Sequence, residues 1–314
     1  MTELSIIIVN WNGKALLRDC LASIPSAGLV GHRIQTIVVD NASSDGSVDM
    51  VRSEFPWVEV IPSAENLGFS AGNNLGLPLA RGRWVMLLNN DTLLPARFLP
   101  SLLDYLQQQS APMVLGPKLL NPDGSLQPSV GCFPSLRRLF LSISMIDRVV
   151  SKSKADAYIV LAPEFYHHER RVDWISGACL VAHRSVFDTV GGLDPGYFMY
   201  VEEVDWCRRA SLAGFPIRFW PGAELVHINS GSAKSRKGKV ENTYRSLLRY
   251  FEKFGSPANQ RALPPVLALA TLIKLAASAA ALLAGRRPED ARDCLRAYSA
   301  GLKIILERKS PCAS

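Results

Sequence analysis

The segment LSIIIVNWNG, residues 4–13, decides the fold. Its first six residues form an almost uninterrupted apolar run, which is typical of a parallel strand covered by helices on both faces. Residues 10–13 then end the run in polar side chains and a glycine. Similar apolar runs at 34–39, 58–62 and 84–88 alternate with segments long enough for helices. This repeated order predicts an α/β fold with a doubly wound, mostly parallel sheet.

Polar side chains follow three of these predicted strands. Asn10 comes after the first strand, Asp40 after the second, and Asn89, Asn90 and Asp91 after the fourth. Ligands bind at the carboxyl ends of the strands in sheets of this kind, so these residues line one candidate site. Asp40 can accept hydrogen bonds from a base or a ribose, or it can cap the turn that follows it. No G-x-G-x-x-G motif follows the first strand, which argues against a dinucleotide site.

Two residues are candidate metal ligands. Asp91 follows a buried strand, and its carboxylate suits Mg²⁺ or Mn²⁺, cations that prefer oxygen ligands and often bridge to a diphosphate. Alternatively, Asp91 caps the helix that follows it. His227 ends an apolar run, where a lone histidine is more often a structural residue than a ligand.

Three carboxylates crowd the segment Glu202-Glu203-Val204-Asp205. Such crowding raises at least one carboxyl pKa, which suits a general base. The same residues would occupy the first turn of a predicted helix at 202–213, where acidic side chains also complement the helix dipole. The pattern is compatible with either role.

Charge is distributed unevenly along the 314 residues. The net charge is +7, but residues 1–228 carry 19 basic and 22 acidic side chains, whereas residues 229–314 carry 16 and 6. The basic tail indicates an anionic partner, either a membrane surface or a nucleic acid, or else a pair of solvated helices. An apolar segment at 263–285 is marginally long enough to span a membrane, and Lys274 at its centre favours a membrane-surface or re-entrant helix over a full span.

Cysteine usage and the first residues bear on the compartment. The six cysteines are scattered without a C-x-x-C pair, which argues against structural zinc and a disulfide framework and fits a reducing compartment. Strand-like residues begin at Leu4, so the sequence predicts no cleaved secretory leader.

Several blocks of the sequence occur in the order found in glycosyltransferase family 2, which the chain resembles. The blocks are residues 6–13, 40–47, 65–76 and 87–92, and those at 176–182, 187–194 and 198–209 are similar to its rhamnosyltransferase-type branch. The likeness covers about residues 4–254. It implies a GT-A fold, a nucleotide-diphosphate sugar donor, a divalent Mg²⁺ or Mn²⁺ ion, and inversion at the anomeric carbon.

The resemblance also assigns roles to single residues. Asp91 matches the metal-binding carboxylate of the family's D-x-D motif, whose first acidic position is Asn89 here, and His227 matches a histidine that completes the metal site. Trp174 and Asp194 fall on the acceptor side. The residues placed near the donor nucleotide are Asn10, Asp40, Asn66, Asn73, Asn89 and Asn90.

The catalytic base implied by position is Glu203, where the family usually has aspartate. The extra methylene lengthens the side chain, and a displacement of about 1 Å can be costly in a catalytic site. Glu202 and Asp205 therefore stay candidates.

The expected organisation is a GT-A domain at 1–228, with a donor half at about 1–120 and an acceptor half at about 121–228. A basic helical, membrane-associating region at 229–314 contains the apolar segment 263–285. The expected function is transfer of a sugar, rhamnose from dTDP-rhamnose, to a hydroxyl of a lipid-linked or cell-surface polysaccharide. We expect a cytoplasmic protein, peripheral on the inner face of the cell membrane, that binds anionic lipid and no nucleic acid. The alternative is a non-catalytic, membrane-associated protein that binds nucleotide-sugar.

Overall fold

A computed structural model describes residues 2–26, 34–146, 156–228 and 235–307. The chain packs as two compact units. The first unit comprises Met1–Cys132, Val160–Phe198 and Glu202–Ser232, and the second comprises Phe133–Ile159, Met199–Val201 and Ala233–Ser314.

All described strands lie in the first unit. They are β1 (Leu4–Asn10), β2 (Ile34–Asp40), β3 (Glu59–Pro62), β4 (Trp84–Asn89), β5 (Thr92–Leu93), β6 (Val114–Leu120), β7 (Leu126–Gln127), β8 (Val130–Gly131), β9 (Arg170–Arg171), β10 (Trp174–Ile175), β11 (Cys179–His183) and β12 (Ile217–His227).

The helices are divided between the two units. They are α1 (Lys14–Ser26), α2 (Ser47–Glu54), α3 (Gly68–Gly76), α4 (Phe98–Gln107), α5 (Leu136–Ser144), α6 (Arg184–Val190), α7 (Glu202–Leu212), α8 (Arg236–Phe254), α9 (Pro257–Leu283) and α10 (Pro288–Glu307). Helices α5, α8, α9 and α10 belong to the second unit.

The main sheet of the first unit has the strand order β3-β2-β1-β4-β11-β6-β12-β5. Strands β3, β2, β1 and β4 are parallel neighbours, as the sequence predicts. Beyond β4 the sheet is mixed, because β11 runs antiparallel to both β4 and β6, while β12 is parallel to β6. The α/β class is confirmed, and antiparallel β11 interrupts the parallel order.

Strand β1 is buried on both faces, which explains its apolar run. Ile6 and Ile8 belong to a core cluster that includes Leu17 of α1. On the opposite face, a Cβ placed on Gly76 would lie 2.7 Å from Cγ2 of Ile7. Helix α3 can therefore approach the sheet this closely only with glycine at that position.

Two predicted boundaries differ from the structure. The core-like segment 174–182 is divided between β10 and β11, which pair with β8 and with β4, respectively. The closing strands expected at 217–220 and 223–227 form the single strand β12, with an irregularity between Trp220 and Glu224. Pro221 lies in that irregularity, because it has no N–H to donate to a ladder.

In the second unit, α5 packs against α9. Because α5 packs on α9, Phe133–Ile159 belongs to the same unit as the C-terminal helices. The predicted division at residue 228 assigned this segment to the first domain. The predicted amphipathic segment 136–150 forms a helix over Leu136–Ser144, and residues 147–150 lie outside the described residues.

Helix α9 has one face buried against the other helices of its unit. The Tyr244 hydroxyl is 2.7 Å from Oγ1 of Thr271 in this buried contact. Lys274 contacts the sulfur of Met145, and its ammonium lies 5.7 Å from the ring centroid of Tyr298. Within the described part of the chain, α9 alone is long and apolar enough to cross a membrane by length and composition, and 22% of its most apolar window is buried.

Candidate active site

The carboxyl ends of β1, β2 and β4 lie side by side at one edge of the main sheet. In the strand register Asn10 is opposite Asp40, and Val9 is opposite Asn89. The polar residues that follow these strands therefore share one edge, as expected for a doubly wound sheet.

A hydrogen-bond network connects the three strand ends. Asn90 Nδ2 donates to Asn10 Oδ1 over 2.7 Å, and Asn10 Nδ2 donates to Asp40 Oδ2 over 3.0 Å and to Ser43 Oγ over 3.2 Å. Asp40 Oδ1 accepts the Ser43 amide at 2.8 Å. A Cβ on Gly13 would lie 2.5 Å from Asn90 Nδ2, so the network requires glycine there. Asp40 is buried and orders the loop after β2.

The predicted donor residues of the 65–76 block order the start of α3. Asn66 Oδ1 accepts the Gly68 amide at 3.0 Å, and Asn73 Nδ2 donates to the Phe69 carbonyl at 2.9 Å. The Phe69 amide donates to the carbonyl of Phe198 at 2.8 Å. Gly68 has a φ of +78°, a conformation that favours glycine. These contacts place the start of α3 beside the loop that precedes α7.

The candidate metal ligands meet at the end of β4. His227 Nε2 lies 3.2 Å from Asp91 Oδ1 and 3.2 Å from Asn89 Nδ2. The pair forms because β12 runs antiparallel to β5, with His227 opposite Thr92. Asp91 is only 4% exposed. Among the described residues there is no cluster of three or more His, Cys, Asp or Glu side chains that could hold a metal ion.

Cys20 is a close neighbour of this end of β4. Its sulfur is 3.5 Å from Thr92 Oγ1 and 3.7 Å from the Asn89 carbonyl oxygen. Burial raises the pKa of the Cys20 thiol to about 12, so the thiol is protonated at neutral pH. Cys20, Cys132, Cys179, Cys207 and Cys294 are all free thiols.

The three carboxylates of α7 occupy different environments. Glu202 is 5% exposed, and its Oε2 has no hydrogen-bond partner in the described part of the chain. Burial, and then the charge of Glu203, raise the pKa of Glu202 well above its usual value. Glu203 is the most exposed residue of the three, although its Oε2 atom is itself buried.

Asp205 is held by two partners. Its Oδ1 accepts Arg209 Nε at 2.7 Å, and its Oδ2 accepts the Tyr197 hydroxyl at 3.1 Å. Arg209 also donates to the carbonyls of Val190 and Gly192, each at 2.8 Å. Arg209 thus forms a salt bridge with Asp205 and ties α7 to the loop after α6.

A short loop connects the metal-ligand end of β4 to Glu203. The Asn89 amide donates to the carbonyl of Ala178 at 3.0 Å. At the preceding residue, a Cβ on Gly177 would lie 3.7 Å from Cβ of Glu203 and 3.5 Å from the Phe69 ring. Residues 177 and 178 therefore lie beside the end of β4, the Phe69 ring of α3 and the Cβ atom of Glu203.

The two predicted acceptor-side residues lie apart from each other. Trp174 is buried in β10, and its indole N–H donates to the Cys132 carbonyl at 3.1 Å. Asp194 Oδ1 accepts the Gly196 amide at 2.8 Å in the loop between α6 and α7. Each side chain orders its own segment, and no described contact joins them.

Sequence reasoning did not single out Gln127, Asn41 or Asn74. Gln127 Oε1 is 2.6 Å from His227 Nδ1. Asn41 Nδ2 donates to the Gly68 carbonyl at 2.9 Å, and Asn74 makes two hydrogen bonds with the Leu193 backbone. Such contacts join distant segments, so no local pattern indicates them. The sequence Asn121-Pro122-Asp123-Gly124 is typical of a turn, and it is this turn that positions Gln127.

Comparison of the sequence with known proteins agrees with this architecture. The family model described as "Glycosyltransferase like family 2" matches residues 2–248. The N-acetylglucosaminyl-diphospho-decaprenol L-rhamnosyltransferase of Mycobacterium tuberculosis is 31% identical over 245 residues, which cover 74% of this chain and 78% of that enzyme. The rhamnosyltransferase WbbL of Escherichia coli is 31% identical over 126 residues, covering 38% and 44% of the two chains.

A solved structure has a similar fold. The mannosyltransferase PcManGT of Pyrobaculum calidifontis, in complex with GDP-Man and Mn²⁺, superposes with a TM-score of 0.58 over 98% of this chain and 88% of its own. The two sequences are 18% identical, so the likeness concerns the fold alone. The expected GT-A fold is confirmed.

Proposed function

The chain belongs to glycosyltransferase family 2, and from this membership we propose that it is a metal-dependent, inverting rhamnosyltransferase. The donor we propose is dTDP-rhamnose, and the acceptor is a hydroxyl of a lipid-linked or cell-surface polysaccharide. The observation that carries the proposal is the 31% identity with the mycobacterial L-rhamnosyltransferase over 78% of its length. The activity named for that enzyme supports both the sugar and a polyprenyl-diphosphate-linked acceptor.

Asp91 and His227 would hold the divalent ion, with Asn89 beside them. A carboxylate oxygen and an imidazole nitrogen at this separation share either a proton or a cation, and in this proposal they share the cation. Two neighbouring ligands on an octahedral ion, with bonds of about 2.1 Å, lie about 3 Å apart. The separation of 3.2 Å between Asp91 Oδ1 and His227 Nε2 fits that arrangement. When bound, Mn²⁺ or Mg²⁺ would offset negative charge on the departing nucleotide diphosphate.

Glu203 is the proposed base. Asp205 is 0% exposed and is paired with Arg209, and Glu202 is buried, so neither carboxylate is placed to receive a proton from an acceptor. The Glu203 carboxylate takes the proton from the acceptor hydroxyl. At the same time the hydroxyl oxygen bonds to the anomeric carbon, and the bond between that carbon and the diphosphate oxygen breaks. A single displacement needs one base and inverts the configuration.

The donor nucleotide would lie along the network at the strand ends. Asn10, Asp40 and Asn90 hold one another and the loop after β2, which gives the site a fixed wall. In this proposal Asn66 and Asn73 support the nucleoside side through the start of α3, and Asn89 lies next to the diphosphate. A preformed polar wall reduces the ordering cost of binding.

The acceptor would approach on the side of Trp174 and Asp194. Trp174 precedes the loop 176–178 by two residues in the sequence, and Gly177 of that loop lies beside the Cβ atom of Glu203. Asp194 is partly exposed in the loop before α7. We assign both residues to shaping the acceptor side.

The second unit would hold the protein on an anionic membrane. The exposed face of α9 is an apolar stripe, hereafter the α9 stripe, made of Pro265, Leu269, Leu272, Ala276, Ala280 and Leu283. Leu269 and Leu272 are 54% and 51% exposed. In α10 the exposed face carries Arg292 and Arg296. Adjacent apolar and basic helix faces suit the interface of a bilayer with anionic lipids.

Two contacts favour a helix that lies on the membrane over one that spans it. Lys274 is directed toward Met145 and Tyr298 and is not part of the α9 stripe. Thr271 is fully buried and bonded to Tyr244. A spanning α9 would have to leave these partners and take Lys274 into the bilayer, which is costly. We therefore place the protein on the cytoplasmic face, peripherally.

A thermal-shift screen tests the donor assignment. Purified full chain with Mn²⁺ should be stabilised by dTDP-rhamnose, and less by UDP- or GDP-sugars, because a ligand that binds only the folded state stabilises it by mass action. Release of dTDP on addition of a polyprenyl-diphosphate-linked acceptor would separate an enzyme from a non-catalytic binder. Stabilisation by no nucleotide-sugar would overturn the proposal.

A further inference from the structure

Gln127 makes a set of hydrogen bonds whose direction is fixed. Its Nε2 donates to the backbone carbonyl of His227 at 3.2 Å and to Asn121 Oδ1 at 2.9 Å. Asn121 is oriented in turn, because its Nδ2 donates to the Leu126 carbonyl at 3.3 Å. Backbone carbonyls can only accept, so both amides have one possible orientation.

The orientation of Gln127 determines which ring nitrogen of neutral His227 carries the proton. Gln127 Oε1 can only accept, and it lies 2.6 Å from His227 Nδ1. The proton of the neutral imidazole therefore sits on Nδ1, which leaves a lone pair on Nε2. That lone pair lies 3.2 Å from Asp91 Oδ1 and can accept from Asn89 Nδ2, which is also 3.2 Å away.

The opposite tautomer would disable the site. If Nε2 carried the proton, His227 would donate it to the Asp91 carboxylate, and the two candidate ligands would satisfy each other. A histidine that binds a metal usually donates its second ring N–H to an oxygen acceptor, which fixes the ring and the tautomer. Gln127 supplies that acceptor here, and its place in β7 depends on the turn at 121–124.

We propose that Gln127 is a positioning residue that keeps His227 in the Nδ1–H tautomer, so that Nε2 and Asp91 together can bind a divalent cation. This inference rests on the metal site of the proposed function. It assigns a role to the Asn121–Gly124 turn, which orders β7 through the bonds of Asn121 to Ser125 and Leu126.

The test combines the tautomer and the metal affinity. Ring ¹⁵N NMR of the metal-free full chain, with the His227 signals assigned from a His227→Gln variant, should show Nδ1–H in the wild type. Gln127→Leu should shift the ring toward Nε2–H and weaken Mn²⁺ binding, measured by EPR, by about 10- to 100-fold. Gln127→Glu keeps an acceptor and should keep the Nδ1–H tautomer. Gln107→Leu, an exposed site on α4, is the matched control and should change neither quantity.

The outcomes separate this proposal from the proposed function. Unchanged Nδ1–H and unchanged Mn²⁺ affinity in folded Gln127→Leu would overturn the positioning role. If Gln127→Leu does not fold, the positioning role would be overturned by finding His227 of the Gln127→Glu variant in the Nε2–H tautomer. A wild type that shows Nδ1–H and binds no Mn²⁺ would instead overturn the metal site itself.

Discussion

The Nε2 atom of His227 lies 3.2 Å from Oδ1 of Asp91, across the pairing of β12 with β5. One residue follows the strand β4 of the parallel half of the sheet, and the other ends the last strand of the mixed half. Closure of the sheet by β12 therefore completes the site that the first ninety residues begin. This pairing gives the proposed metal site its two ligands from distant parts of the sequence.

Asp91→Asn should remove the anionic ligand while keeping the shape of the side chain. We expect Mn²⁺-dependent binding of dTDP-rhamnose, measured by calorimetry, to weaken by about 100-fold or more, since even outer-shell changes cost 10- to 100-fold. Asp104→Asn, at an exposed position of α4, should bind normally. Equal affinity of Asp91→Asn and wild type, with and without Mn²⁺, would count against the site.

Two Asp–Arg pairs of equal spacing provide a matched stability comparison. Asp205 is buried with Arg209, whereas Asp188 is 62% exposed in its pair with Arg184. Asp205→Ala should lower the free energy of unfolding by about 3–5 kcal/mol, because it leaves the largely buried Arg209 guanidinium without its counter-ion and the buried Tyr197 hydroxyl without its acceptor. Asp188→Ala should cost at most about 1 kcal/mol. Denaturant titrations giving the two variants equal losses would contradict a structural role for Asp205.

Glu202 should make stability depend on pH. Burial and the charge of Glu203 raise its pKa above the ordinary 4.5, so the folded state binds more protons than the unfolded state. The contribution of Glu202 to the free energy of unfolding is therefore most favourable below the ordinary pKa. It declines as the pH rises through the raised pKa of the folded state. Glu202→Gln mimics the protonated form, and its melting temperature should exceed that of the wild type more at about pH 8 than at about pH 5.

The pH comparison has its own control. Glu164→Gln changes the same functional group at an exposed position, and its melting temperature should differ from that of the wild type by the same small amount at both pH values. A gap between Glu202→Gln and wild type that does not change with pH would refute the raised pKa.

The α9 stripe should determine membrane binding. Leu269→Glu with Leu272→Glu should reduce flotation with vesicles containing anionic lipid by at least about tenfold, because burying each leucine contributes about 1.5–3 kcal/mol. Leu212→Glu changes an exposed leucine of α7 and should float like the wild type. Equal flotation of the double variant and the control would show that another surface binds the vesicles.

Local sequence patterns were sufficient for the parallel half of the fold. The helix predicted at 47–54 is α2, and the four apolar runs are β1 to β4 within a residue at most boundaries. The sequence also predicted that Asn10, Asp40 and Asp91 lie at one edge of the sheet, because the carboxyl ends of parallel strands share an edge.

Long-range contacts could not be predicted in this way. The packing of α5 on α9 and the Gln127–His227 bond depend on tertiary approach and leave no periodic signal. Two consecutive positive φ angles, +69° at Tyr200 and +68° at Val201, also contradict local preference, since a β-branched residue avoids this region. They directly precede α7, where strain of this kind often accompanies function.

The most direct test of the account is the rate of rhamnose transfer by Glu203→Gln compared with Glu164→Gln under saturating dTDP-rhamnose, Mn²⁺ and acceptor. We predict that Glu203→Gln lowers kcat by about 10²- to 10⁴-fold without weakening donor binding, because it removes the base alone. The wild-type product should carry the inverted anomeric configuration by NMR. Transfer by Glu203→Gln at the wild-type rate, or a product with retained configuration, would contradict the account.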